Sequence, residues 1–394
     1  MDTGQTNTFA LTDGIIISGG EILENHAVII SDGTIQAIIP DDQLSKDIET
    51  HSLGKQWLCP GFIDIQLNGC GGVLFNSDIS TNTLDTMHQT NLRHGCTSFL
   101  PTLITCDDAD IQQAISVTRE YKNRHPFRVP GLHLEGPWLN PNRKGIHDAE
   151  QVRRPDANLL RLICDNSNTI SMVTLAPEVC PAGTIEQLTE AGIRVAIGHT
   201  AATSTEVEQA IKAGAGFATH LFNAMPPLTN REPGPVGAIL DDQHICAGII
   251  ADGVHVNWQN IRLAWRLLGS KRLCLVTDAT PAAGAQIDQF QFGGQTVYYR
   301  DGKCLSAEGT IGGSALTMDA AVKNSIEHVH IPLTEAICMA TITPAHSIGL
   351  DDHIGQIKPG MQANLAILDQ DYSVTATISD GQLIDWGNGT LNGQ

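Results

Sequence analysis

Basic residues are scarce in this 394-residue chain: 23 lysines and arginines stand against 43 aspartates and glutamates, a formal charge of −20. Such an excess repels nucleic acid and anionic lipid at long range, so neither is an expected partner. No run reaches the roughly 18 apolar residues of a membrane-spanning helix. The opening MDTGQTNTFALTDG has neither the basic flank nor the apolar core of a secretory signal. Nor do the ten cysteines include a C-x-x-C pair, which argues against a zinc ribbon or a disulfide framework and for reduced core thiols. A cytoplasmic protein is the expectation. Repeats and low-complexity tracts are absent as well.

What is present is a change of rhythm along the chain. Hydrophobic residues make up 41% and glycines number 38, which suits a packed α/β chain with many tight connections. Residues 7–56 alternate β-branched runs with Asp-Gly and Gly-Gly turns, a hairpin pattern, and residues 355–386 show the same alternation. The two ends predict one small β-sandwich, assigned to 1–56 and 349–394. Between them, over 57–348, strands alternate with helices. Candidate strands fall at 61–67, 97–102, 129–134, 170–175, 193–198, 216–219, 244–250 and 272–277. Helical spacing separates most of them, as at 257–269, where Trp258, Ile261, Ala264 and Trp265 share a face. Eight such units match an α/β fold of the (β/α)8, TIM-barrel type, whose chemistry lies at the carboxyl ends of the strands. After the eighth strand, 284–308 predict an inserted hairpin, and GTIGGSA a turn entering a helix near Ala315.

Four residues stand at those carboxyl ends: Glu135 in HLEGP, His199 in IGHT, His220 in ATHLFNA and Asp278 in TDAT. Singly, each has a structural alternative, a solvated loop acid or a packed histidine. Together, one carboxylate and two imidazoles are a common donor set for a hydrolytic metal ion with an open position for water. Asp278 would then serve as the acid and base that moves the water's proton. His133, two residues before Glu135, reads as a packed histidine one layer deeper. The first strand ends in Gln66-x-Asn68, where amidohydrolases commonly carry H-x-H. Amides are feeble ligands, so these two are remnants of a second metal position, and one divalent ion per subunit is expected. Zinc comes first, with iron, manganese and cobalt accepting the same donors. Arg231, His255 and His147 with Lys144 are the candidate substrate cations, and Asn223 and Ala224 could offer an amide and a backbone group.

PGFIDIQLNGCGG, HLEGPWLNPNRKGIH, IGHT, ATHLFNAMPPL, ADGVHV, TDAT and GGSALTM together resemble the N-acetylglucosamine-6-phosphate deacetylases of the amidohydrolase superfamily. The likeness covers nearly the whole chain, including both β-rich ends. It implies that Glu135, His199 and His220 bind one divalent metal and that Asp278 is the catalytic acid and base. It further implies substrate contacts at Ile146, His147, Asn223, Ala224 and Arg231, at Asp252, Gly253, Val254 and His255, and at Ile311, Gly312 and Gly313. Arg231 and His255 would face the phosphate of a phosphosugar, and a homodimer whose neighbour completes the pocket is implied as well. Trp138 departs from the phenylalanine common after HLEGP. Two rivals remain at this point: an amidohydrolase for another acylated amino sugar or a cyclic amide, and a non-catalytic barrel used for binding.

Overall fold

The computed structural model describes residues 8–387 and the backbone of 392–393. The first seven residues, part of the stretch read above for a secretory signal, lie outside the described residues. Eight parallel strands, Phe62–Leu67, Cys96–Ile104, Leu132–Glu135, Ile170–Leu175, Arg194–Ile197, Phe217–Ala218, Cys246–Ile249 and Leu273–Leu275, pair in chain order. They are called the first to eighth barrel strands below. The ring closes where Leu67 bridges Ala279 and the Asp278 amide donates to the Gln66 carbonyl at 2.9 Å. Nearly every strand residue is buried, because helices cover the outside and side chains fill the inside. One buried strand residue away from the strand ends is a carboxylate, Asp64 in the first strand. It accepts from the amides of Gln66 (3.2 Å) and Thr277 (3.3 Å) and from the Thr277 hydroxyl, and so clasps the first strand to the end of the eighth. Burial pushes its carboxyl up to about 7.

The outer helices begin where the sequence offers caps. Asp107 accepts from the Asp110 amide ahead of Asp108–Arg124, and Thr203 with Glu206 forms a complete capping box ahead of Ser204–Lys212. In Trp258–Leu268 the buried face holds Ile261, Ala264 and Leu268, with Trp258 and Trp265 packed partly against the core beside it.

Two expectations for the segment after the eighth strand are corrected. The insertion is a three-stranded antiparallel meander, Gln289–Phe292, Gln295–Arg300 and Lys303–Ser306, because KCLS folds back on the predicted hairpin. The following helix starts at Met318, not near Ala315. Ser314 is held first: its amide donates to Asp278 (2.9 Å) and its carbonyl accepts from Thr280 (3.0 Å), which delays the helix.

Both ends of the chain build the sandwich. One sheet orders Gln382–Asp385, Val374–Ser379, Leu365–Leu368, Trp57–Pro60, Ile15–Ser18 and Glu21–Glu24. The other runs Asn392–Gly393, Glu49–Ser52, Thr8–Thr12, His26–Ser31 and Thr34–Pro40. Phe9, Leu11, Val28, Leu58, Leu365 and Ile367 fill the space between them. Neither end has enough strands to bury an apolar face alone, so the two must meet. Trp57–Pro60 lies beside Leu365–Leu368 and leads at once into the first barrel strand, which fixes the sandwich against the barrel.

Candidate functional site

Glu135 ends the third barrel strand, while His199 and His220 stand two residues beyond the fifth and sixth. The backbone turns left-handed at His199 (φ 48°), His220 (φ 30°) and Asp278 (φ 49°), a conformation costly for residues with a side chain and concentrated here at the barrel mouth. Gly198 makes the fifth turn possible: a Cβ there would lie 2.8 Å from both Thr174 Cγ2 and Thr219 Cβ. These turns bring three ligand atoms together. Glu135 Oε1 lies 3.0 Å from His199 Nε2 and 3.1 Å from His220 Nε2, and the two imidazole nitrogens are 3.0 Å apart.

This donor set fits a divalent cation. The Nδ1–H of His199 donates to the Arg143 carbonyl at 2.8 Å, which leaves its Nε2 lone pair facing the cluster. One carboxylate oxygen and two imidazole nitrogens, all at most 5% exposed as residues, converge where an ion would satisfy all three. Burial alone would raise the Glu135 carboxyl, but hydrogen bonds and charge from His199 and His220 outweigh it and hold the group well below the usual carboxylate range. Gln66 and Asn68, at the H-x-H positions, turn to carboxylates: Gln66 Nε2 donates to Glu135 Oε1 (3.3 Å) and Asn68 Nδ2 to Asp278 Oδ1 (2.7 Å). As neutral amides they orient acids where imidazoles would bind metal.

Asp278 looks into the same cavity, about 360 Å³ in volume, as the three donors. Burial, and next the nearby charge of Glu135, push its carboxyl up to about 6, against the pull of His220, His255 and Asn68. Such a carboxyl can hold or release a proton near neutrality. His147, Asn223, Ala224 and His255 line the cavity from other loops, and Ile146, Ile311 and Gly313 supply its apolar and backbone wall. His255 is held by a dyad: its Nδ1 is 2.6 Å from Asp252 Oδ2, while Asp252 Oδ1 accepts from the amides of Val254 and His255 at 2.8 Å.

Other expected contacts fall outside the cavity wall. Asp252 and Val254 belong to the loop that carries His255, and Gly253 packs on Trp258, whose ring would sit 2.3 Å from an added Cβ. Gly312 lies against Ile146 and Val297. Arg231 is exposed on the loop before Gly234–Asp241 and does not reach the cavity of its own chain. Lys144 turns back on its loop, donating to the carbonyls of Gly145 (3.4 Å) and His147 (3.1 Å). His133 lies below the site, donating from Nδ1 to the Ile65 carbonyl (3.1 Å) and meeting the Thr174 hydroxyl through Nε2 (2.7 Å).

Several residues without a motif also matter. Thr105, just past the second barrel strand, meets Nδ1 of His147, and Ile104 and Phe292 close the apolar side of the cavity. Glu178 ties two loops together by accepting from Asn140 Nδ2 (2.8 Å), the Ala201 amide (2.6 Å) and the Thr200 hydroxyl (2.5 Å). The strand-end rule that finds Glu135 misses Thr105, because the sequence ends the second strand at 102 and the structure carries it on to Ile104. Phe292 carries no such signal, because it reaches the site from the inserted meander.

Known proteins are similar to this chain along most of its length. The pattern of the amidohydrolase family matches residues 57–384, and that of the NagA composite domain matches 8–57. An N-acetylglucosamine-6-phosphate deacetylase of Haemophilus influenzae is 43% identical over 95% of this chain and 98% of its own. An N-acetylgalactosamine-6-phosphate deacetylase of Shewanella is 35% identical over 96% and 97%. The crystal structure of N-acetylglucosamine-6-phosphate deacetylase from Pasteurella multocida superposes with a TM-score of 0.94 at 44% identity, covering 96% of this chain and all of that one. A mutant deacetylase from Mycobacterium smegmatis, in complex with N-acetyl-D-glucosamine-6-phosphate, gives 0.89 at 32% identity over 95% and 99%. With its barrel, its sandwich of both ends and its convergent carboxylate and imidazoles, the chain belongs to the amidohydrolase family.

Proposed function

We propose that this chain hydrolyses the N-acetyl group of N-acetylglucosamine 6-phosphate, releasing acetate and glucosamine 6-phosphate. The observation that carries this reading is the convergence of Glu135, His199 and His220 within 3.1 Å of one another beside Asp278. One divalent ion per subunit, zinc before iron, manganese or cobalt, would be held by those three donors and would supply Lewis acidity that acidifies water and polarises a carbonyl. Asp278, steadied by Asn68, takes the proton from the attacking water. It then gives that proton to the sugar nitrogen as the C–N bond breaks and the water oxygen becomes part of acetate. His147 faces the carbonyl oxygen on which charge builds. His255, fixed by Asp252, supports the phosphate, and Asn223 with Ala224 supports the sugar. Since Arg231 does not reach its own cavity, its phosphate role requires a second subunit, which fits a homodimer.

Ten cysteines without a disulfide fit amino-sugar catabolism in the cytoplasm. Among the described residues no helix is long and apolar enough to cross a membrane. The second reading, another 2-acetamido sugar phosphate, is favoured by relatives named for N-acetylgalactosamine 6-phosphate at 35% and 36% identity. Acetate release from both phosphosugars and from unphosphorylated N-acetylglucosamine, with and without a chelator, tests the proposal. N-acetylglucosamine 6-phosphate should be preferred and the chelator should abolish turnover. Equal rates with and without the phosphate would remove the substrate assignment.

A further inference from the structure

Thr105 is buried one residue beyond the second barrel strand. Its amide donates to Nδ1 of His147 at 3.3 Å, and its hydroxyl lies 2.8 Å from the same nitrogen. A backbone amide can only donate, and this one has no other acceptor among the described residues. The opposite tautomer would place a proton on Nδ1 and turn the Thr105 hydroxyl to the Glu135 carbonyl at 3.4 Å. Two N–H groups would then face each other, leaving a buried amide without a partner. The ring proton therefore belongs on Nε2, for which no protein partner exists among the described residues, and His147 lines the cavity beside His199, ring centroids 4.5 Å apart.

We infer that Thr105 is a positioning residue: its amide and hydroxyl hold His147 as the neutral Nε2–H tautomer, so that the imidazole meets the acetyl oxygen as a hydrogen-bond donor. This rests on the deacetylase reading above. A donor aimed at that oxygen gains strength as the carbonyl becomes an oxyanion, so fixing the tautomer contributes to kcat and leaves ground-state binding nearly unchanged. The hydroxyl makes the closer of the two contacts, and the 3.3 Å amide alone holds the ring less firmly. Valine keeps the shape of threonine but lacks the hydroxyl; serine keeps the hydroxyl.

The test measures kcat and KM on N-acetylglucosamine 6-phosphate, metal content, and nitrogen spectra of the 15N-histidine-labelled holoenzyme, with His147 assigned through His147→Gln. Thr105→Val should lower kcat about 10- to 100-fold with KM and metal content unchanged, and Thr105→Ser should stay within about threefold of the parent. The parent's His147 should carry its proton on Nε2, and Thr105→Val should mix the two tautomers. A Thr105→Val enzyme within about twofold of the parent, a serine variant as impaired as the valine one, or a parent proton on Nδ1 would overturn the assignment. A parent that releases no acetate would refute the deacetylase reading alone. The spectrum would still decide the tautomer, Nε2–H supporting this role and Nδ1–H ending it.

Discussion

Asp278 combines three local facts: a left-handed backbone, a hydrogen bond from Asn68 and burial beside a second carboxylate. An asparagine there keeps the size but cannot shuttle a proton. Asp278→Asn is therefore expected to retain metal, measured by elemental analysis, while kcat falls about 10²- to 10⁴-fold; near-normal turnover would end the acid and base role. A second consequence concerns a histidine that does not line the cavity. His88 is buried in Thr81–Leu92, with no hydrogen bond to either ring nitrogen among the described residues, and burial lowers its pKa to about 3. The unfolded chain binds this proton below about 6.5 and the folded chain does not, so stability is lost as pH falls from about 6.5 toward 3. Between pH 7 and 5 this group removes roughly 2 kcal/mol, from about 1.4 kcal/mol per unit over the window below 6.5. Denaturant titrations of His88→Leu should show a loss smaller by about that amount; identical pH dependence in both proteins would refute it.

Among the elements, the fifth barrel strand and its turn couple fold to site most directly. Gly198 leaves room for Thr174 and Thr219, whose hydroxyls lie 2.7 Å apart and connect to His133. A methyl group at 198 must push one of them aside, and His199 is the next residue. Gly198→Ala should cost about 1–3 kcal/mol in denaturant unfolding, and competition with a chelator should show weaker metal retention. Unchanged stability together with unchanged retention would show that the turn tolerates the methyl group. The meander after the eighth strand acts on the site from the other side. Its Phe292 and Val297 pack with Ile104 and Ile146, which makes part of the cavity wall from an insertion outside the strand and helix rhythm.

For the whole molecule, an ion held by Glu135, His199 and His220 would tie the ends of the third, fifth and sixth strands into one cooperative unit. Ligand that binds only the folded chain stabilises it by about 2.7 kcal/mol at a hundredfold excess over Kd. Stripping metal should lower the calorimetric Tm, and about one equivalent of zinc should restore it; the same Tm in stripped and reloaded protein would argue against the three-donor site.

How far the sequence alone reaches follows from where each signal resides. Buried strands and turns are written locally, so the eight-strand rhythm, the β-rich ends and the residues at strand termini were all readable from spacing. The missing H-x-H was legible only through the resemblance to amidohydrolases, as a change of residue type from imidazole to amide at Gln66 and Asn68. Tertiary structure alone decided which of those residues meet. Barrel closure put Glu135, His199 and His220 within 3.1 Å across 85 residues of chain. It also left Arg231 outside its own cavity, turned Lys144 onto its loop and brought Thr105 to His147. Periodicity reports only which face of an element is apolar. Distances between loops, and the proton a histidine carries, depend on the packing of the entire ring of strands.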